Sequence, residues 1–251
     1  MTPSMLTQHP DFAPARLLFY NLLGIALILG WWSPNLLIWE ALDDAVFFTT
    51  NAWLHEDNMA WVHLVALANH RAFDGVSLLA MAAVLLWAIR RDPVGEHRWL
   101  RWGGIGLTLL LTAGIVNRIE AYVVTYRHAS PTLVYDNATR VTELVDYATK
   151  AVSASSFPGD HGLMLMIFAA FMWRFAGPRV GLVSAALVVL FSAPRILGGA
   201  HWFSDIYFGS LAIALVLLPW ALCTPLAPRT ASAITRGLIV LEARLLPART
   251  R

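Results

Sequence analysis

Arg195-Ile196-Leu197-Gly198-Gly199-Ala200-His201-Trp202-Phe203-Ser204-Asp205 joins two apolar runs, Val180–Phe191 and Ile206–Leu218. The flanking runs read as membrane helices, which makes the ionisable residues between them costly to place and marks them as a candidate site. The spacing assigns roles. If a helix opens after His201, Asp205 lies one turn further on, within reach of an imidazole N–H. A carboxylate there fixes the tautomer and stabilises the imidazolium, leaving the other ring nitrogen as nucleophile or base. Arg195, on the preceding turn, offers a planar fork that suits phosphate.

Working outward, Ser156-Phe157-Pro158-Gly159-Asp160-His161-Gly162 precedes the apolar run Leu163–Trp173. Proline and glycine at a helix start leave backbone N–H groups unpaired, which is an anion site, and His161 is placed to donate a proton to a leaving oxygen.

Together, Ser-Phe-Pro-Gly-Asp-His ending at His161 and Arg-x5-His-x3-Asp at Arg195, His201 and Asp205 resemble the second and third signature motifs of the type 2 phosphatidic acid phosphatase family. That family also includes soluble acid phosphatases and vanadium haloperoxidases. Its first motif, Lys-x6-Arg-Pro, has its best counterpart in Arg118 and Arg127, giving Arg-x8-Arg-His. Where the family has Pro-Ser-Gly-His, this chain has Gly159 in the serine position and Asp160 in the glycine position. A hydroxyl donor is lost, and a carboxylate stands beside the expected acid. The resemblance implies a phosphohistidine on His201 oriented by Asp205, with His161 as the acid. Arg195, Arg118, Arg127 and the backbone around Gly159 and Asp160 would hold the phosphate, and no metal or other cofactor is implied.

The 251 residues are 58% hydrophobic and 14% charged, with mean hydropathy +0.60. That is too apolar for an ordinary soluble domain and reads as one all-α, polytopic membrane domain over 1–251. A net charge of +2 with no long basic block excludes a nucleic-acid partner, and the single cysteine, Cys223, has no partner for an intramolecular disulfide. Residues 1–14 are polar, and no cation precedes Arg16, so the first apolar segment is expected to stay as an anchor.

Six spans are expected: Leu17–Trp32, Val76–Ile89, Trp102–Val116, Leu163–Ala176, Val180–Phe191 and Ile206–Leu222, the last ended by Pro225 and Pro228. Residues 36–74 carry Glu40, Asp43 and Asp44 in short apolar runs and are expected as extra interfacial helices on the outer surface. Val141–Val152 has apolar residues at helical spacing and is expected as a short surface helix. The arginine-rich tail over 229–251 reads as an amphipathic helix on an anionic leaflet. With six spans, twelve cations fall on the side of the termini and six opposite. The positive-inside rule then puts the termini in the cytoplasm and every proposed catalytic group outside, as in a bacterial inner membrane with its site facing the periplasm.

Of the other histidines, His55, His63, His70 and His97 read as structural or interfacial; His128 reads as interfacial, and Glu120 as a partner of Arg118 or Arg127. The expected function is hydrolysis of a phosphate or diphosphate from a lipid such as a polyprenyl diphosphate, phosphatidylglycerophosphate or lipid A. Two other functions fit the residues: a lipid-linked phosphotransferase, and a non-catalytic transporter or scaffold. Nothing in the sequence speaks to oligomeric state.

Overall fold

The computed structural model describes residues 12–33, 38–126 and 128–245, and among them every regular element is helical. Helix α1 (Pro14–Trp32) starts on a proline, whose missing N–H is harmless there. After it come α2 (Ile38–Asn51), a 3-10 turn at Glu56–Asn58 and α3 (Met59–Ala68). The long helices α4 (Ala72–Arg91) and α5 (Arg98–Val123) follow. After single turns α6 (Pro131–Val134) and α7 (Val141–Leu144), α8 (Asp160–Ala176) and α9 (Pro178–Leu197) form a hairpin. A π-helical turn, Asp205–Ser210, leads into α10 (Leu211–Leu222), and α11 (Leu226–Leu245) closes the described chain.

Helix α8 is the central post. Its Leu163, Ile167 and Phe171 are fully buried against Val84, Ala113 and Leu218 from α4, α5 and α10. The outer faces are apolar as well: Leu79, Leu110, Ile115, Leu182 and Leu190 are all exposed. An apolar core inside an apolar belt is the pattern of a bundle solvated by lipid. Five helices, α1, α4, α5, α9 and the segment Asp205–Leu222, are long and apolar enough to cross a membrane. Helix α8, at 17 residues, is shorter and lies among them. The chain is an integral membrane protein. Ala13 at the start of α1 donates its N–H to Cys223 O just past α10, so the start of α1 lies beside the end of α10.

The span positions agree with the sequence, but α5 runs further in both directions than the apolar run Trp102–Val116. Its entry residues Arg98 and Arg101 carry long stems that can follow the apolar surface while the charge reaches out. One expectation is corrected. Residues 141–152 do not form a surface helix. Val141 and Ala151 are both fully buried against Leu54, Val62, Val65 and Ala66, so the segment is pinned at both ends to α3 and has only one helical turn. Residues 36–74 do supply two extra helices, α2 and α3, as expected. Asp43, Phe47, Val62, Val65 and Ala66 are buried, and the pair caps one end of the bundle. The tail is helical as expected over Leu226–Leu245, and α11 is also seated on α5: a Cβ at Gly104 would lie 2.6 Å from Ala231 O. Residues 246–251 of that tail, the polar residues 1–11 and Arg127 lie outside the described residues.

Candidate active site

Arg195 occupies the last turn of α9, directly after Pro194, which interrupts the helical ladder. Its side chain is buried, and Nη2 donates to Asp74 Oδ1 at 3.1 Å. Asp74, in the first turn of α4, accepts from Lys150 Nζ on its other oxygen. One buried residue, Asn69, organises this junction. Asn69 Nδ2 donates to Pro194 O at 2.6 Å and to Val65 O at 3.0 Å, while the Asn69 carbonyl accepts the Lys150 N–H at 2.9 Å. The end of α3, the end of α9 and the segment carrying Lys150 are therefore held together.

From Arg195 the chain doubles back sharply. Both Ala200 and His201 donate their N–H to Arg195 O, at 2.9 and 3.2 Å. The reversal needs Gly199, which sits at φ +70° with Thr132 so close that a Cβ would lie 2.5 Å from its Cγ2. His201 is delivered beside Asp205, with Nδ1 3.5 Å from Oδ2, as the four-residue spacing predicts. Asp205 is fully buried, and Oδ2 also accepts the Trp202 N–H at 2.9 Å. Its other oxygen faces His128 Nδ1 at 4.0 Å. The His128 ring is stacked on Trp202, with centroids 5.1 Å apart and planes 6° from parallel. One buried carboxylate thus stands between two imidazoles.

The second cluster docks onto the third through backbone. Gly159 N–H donates to Asp205 O at 3.2 Å, and Ser210 Oγ donates to Gly159 O at 2.8 Å. Glycine is required here by close approach: a Cβ at Gly159 or Gly162 would lie 2.6 or 2.7 Å from side-chain carbons of Ile206. The Gly159 N–H is therefore engaged in structure, and the free donors of this turn are those of Asp160, His161 and Gly162, ahead of the first closed bond, Leu163 N to Gly159 O. His161, in that turn, is within electrostatic reach of Arg195, Asp74, Lys150 and His201. Asp160, exposed as the first residue of α8, has a local reason to be acidic, since a carboxylate is favoured at a helix N-terminus.

The structure therefore gathers His201, Asp205, Arg195, His161 and Gly159 at one end of the bundle. Arg118 is exposed on α5 with no described contact to this cluster, and Arg127 is not among the described residues. Three side chains join that sequence reading passed over: Asp74, Lys150 and His128. Asp74 had a signal, an acid at the threshold of the apolar run Val76–Ile89, which is the same costly placement that drew attention to Arg195. Lys150 had one too: it is the single lysine among 18 basic residues.

A cavity of about 460 Å³ opens on the Asp205 side, walled by Trp31, Trp39, Tyr126, His128, Tyr135 and Trp202. Its floor is acidic. Asp44 accepts from Tyr135 OH at 2.6 Å, and that bond, with burial, pushes the Tyr135 phenol up to about 12. Asp43 accepts from both the N–H and the Oγ of Ser204, and burial raises its carboxyl from 3.8 to about 6 despite those bonds, with Asp205 and Asp44 adding repulsion. The folded protein holds this proton more tightly than the unfolded chain. Asp43 therefore contributes stability that is complete below pH 3.8 and is lost as pH rises through about 6. Relative to Asp43→Asn, the native protein should gain up to about 3 kcal/mol as pH falls across that window, measured as the difference in thermal unfolding. Parallel pH profiles for the two proteins would show that Asp43 is not the titrating group.

A buried carboxylate 3.5 Å from one nitrogen of an imidazole, two cations on a shared acid, and an open helix N-terminus together suit attack on a tetrahedral oxyanion. Residues 101–228, which carry all the motif residues, match the PAP2 superfamily. The chain is also 44% identical over 217 residues, 85% of its length and 90% of the relative's, to lipid A 1-diphosphate synthase of Escherichia coli (strain K12). The chain belongs to the PAP2 superfamily. No solved structure matches it. As a PAP2 protein it is a membrane enzyme of the lipid phosphatase class, and the reading as a non-catalytic transporter or scaffold falls away. The residues that place it in PAP2 lie on α5 to α10, whereas Asn69 and Asp74, which buttress Arg195, lie before the matched region.

Proposed function

We propose that this PAP2 enzyme moves the terminal phosphoryl group of a lipid diphosphate, through a phosphohistidine at His201, onto the phosphate of a second lipid of the lipid A type. The observation that carries it is the His201–Asp205 pair beside buried Arg195. With Nδ1 turned to the carboxylate, Nε2 is the nitrogen left to attack phosphorus. A P–N bond forms, the P–O bond to the departing lipid phosphate breaks, and His161 donates the proton that oxygen requires. Arg195 and the first-turn N–H groups of α8 hold the equatorial oxygens as charge develops. Exposed Arg118 adds to the positive charge that attracts an anionic head group, and Arg127 keeps the phosphate-binding role that the sequence resemblance gives it. In the second half an oxygen of the acceptor phosphate attacks, the P–N bond breaks, and a new anhydride forms.

The acceptor is argued from the relative named lipid A 1-diphosphate synthase. Adding a phosphoryl group to a phosphate makes an anhydride, and the donor that balances it is another anhydride, a lipid diphosphate. The aromatic cavity beside His128 offers apolar walls for the stem of a lipid head group. Water competes as acceptor, since the His201 side chain is 17% exposed, and hydrolysis to free phosphate is the second reading. The cation asymmetry supports a periplasmic site in a bacterial inner membrane, with both termini cytoplasmic.

Purified protein given polyprenyl diphosphate with a labelled terminal phosphate, with and without lipid A, separates these readings. The expected result is label on lipid A. Label appearing only as inorganic phosphate while lipid A is present would replace transfer by hydrolysis, and no movement of label from polyprenyl diphosphate, phosphatidylglycerophosphate or phosphatidic acid would refute both.

A further inference from the structure

Seventeen of the 18 cations in the chain are arginines, and Lys150 is the exception. It is also the cation whose delivery to the site is most closely specified. The segment that carries it is pinned by fully buried Ala151 on one side, and its own N–H is bonded to Asn69 O at 2.9 Å. Asn69 is fully buried and simultaneously grips Pro194 O, the residue before Arg195. Gly198 completes the junction, because a Cβ there would lie 2.7 Å from Asn69 Nδ2. The backbones on which Lys150 and Arg195 are mounted are therefore tied to one residue, the first through the Asn69 backbone carbonyl and the second through its side-chain amide.

Their charged ends share another. Arg195 Nη2 meets one oxygen of Asp74 and Lys150 Nζ meets the other, so a single carboxylate bridges an ammonium and a guanidinium. A carboxylate and a phosphate present the same feature to such a pair, two anionic oxygens on one centre. The three groups carry a net charge of +1 beside His161, which experiences all of them. A purely structural ion pair would need one cation for one acid; here there is a cation in excess, half-exposed, at the mouth of the site.

We infer that Lys150 is the phosphate-binding ammonium of this enzyme, standing in for the lysine that its Arg118/Arg127 segment lacks, and that Asp74 is the positioning residue that holds Lys150 and Arg195 side by side until a phosphate takes up their free donors. The inference rests on the phosphoryl-transfer reading of the site. It makes opposite predictions for the two partners. Removing Lys150 removes a donor from bound phosphate. Removing the Asp74 charge removes a competitor for the same cations, so phosphate binds more tightly while the chemistry loses its alignment.

The test uses the full chain in detergent micelles, with inorganic phosphate and orthovanadate as probes, read both as inhibition of turnover and as ligand-induced rise in unfolding temperature. For Lys150→Met we expect orthovanadate and phosphate to bind roughly ten- to hundredfold more weakly, the range for loss of a hydrogen bond to a charged group, with most of the loss recovered in Lys150→Arg. For Asp74→Asn we expect kcat to fall by roughly tenfold or more while both probes bind more tightly. A merely structural pair would weaken probe binding in both variants or in neither. Unchanged probe affinity in Lys150→Met overturns the inference. If that variant does not fold, unchanged or weaker probe binding in Asp74→Asn overturns it instead. The unfolding shift needs no substrate, so a wild type that binds phosphate but turns over no lipid would refute the phosphoryl-transfer reading while leaving Lys150 decided by the same titration. A wild type with no phosphate-induced shift refutes Lys150 as a phosphate ligand.

Discussion

His201→Ala should lower turnover of any lipid phosphate by roughly 10⁴- to 10⁶-fold, the loss seen when an enzyme's nucleophile is removed. The same variant should insert in the membrane normally, because the loop around His201 is shaped by other groups: the Arg195 carbonyl, the positive φ of Gly199 and the contact with Thr132. What changes is the environment of Asp205. That carboxylate is fully buried and keeps the Trp202 N–H, but loses one of its two flanking imidazoles and is left with His128 at 4.0 Å. Some thermal stability should therefore be lost with the activity, and Asp205→Asn in the His201→Ala background should restore part of it. Residual turnover within tenfold of the native enzyme would remove His201 from the mechanism.

The second large effect belongs to His161, and its size should depend on what leaves. A general acid contributes roughly 10²- to 10⁴-fold, and it matters most when the departing oxygen is strongly basic. An alkoxide leaving from a lipid monophosphate needs its proton; a lipid phosphate leaving from a diphosphate is stable as an anion. For His161→Ala we expect turnover of a lipid monophosphate such as phosphatidic acid to fall near the upper end of that range and turnover of a polyprenyl diphosphate near the lower end. Comparing kcat/KM for both substrates in both proteins checks this. Equal losses on the two substrates would mean that His161 binds phosphate and does not supply a proton.

The sequence made the His201–Asp205 pair legible because it is local: four residues at the entry to a helix leave the two side chains few places to go, and the structure brings them to 3.5 Å although the helix opens only at Phe203. Arg195 was legible for a different reason, since a cation at the end of an apolar run has few places to go. Neither argument reaches Lys150 or Asp74. Their partnership spans 76 residues and depends on Asn69, whose role exists only once α3, α9 and the connecting segment have met. The expected helix over 141–152 failed for a related reason. Val141, Leu144, Val145 and Ala148 do fall at helical spacing, but Val141 and Ala151 are both buried against α3 and the chain is helical only over Val141–Leu144. Span positions were readable from hydropathy, whereas the π-helical turn at Asp205–Ser210 was not, because it answers to the packing of Gly209 on Phe157, where a Cβ would lie 2.5 Å from Cε2. His128 reads as an interfacial histidine in sequence and is instead stacked on Trp202 beside the Asp205 carboxylate, a contact between residues 74 positions apart.

The central claim is a covalent one and can be tested as such. Enzyme mixed with lipid diphosphate bearing a labelled terminal phosphate, quenched in alkali within a turnover and digested, should yield one labelled peptide containing His201, stable to base and released by acid as a phosphoramidate is. The label should vanish in His201→Ala and be chased by added lipid A. Label on any other residue, or turnover that proceeds with no labelled peptide while lipid is consumed, would contradict the account.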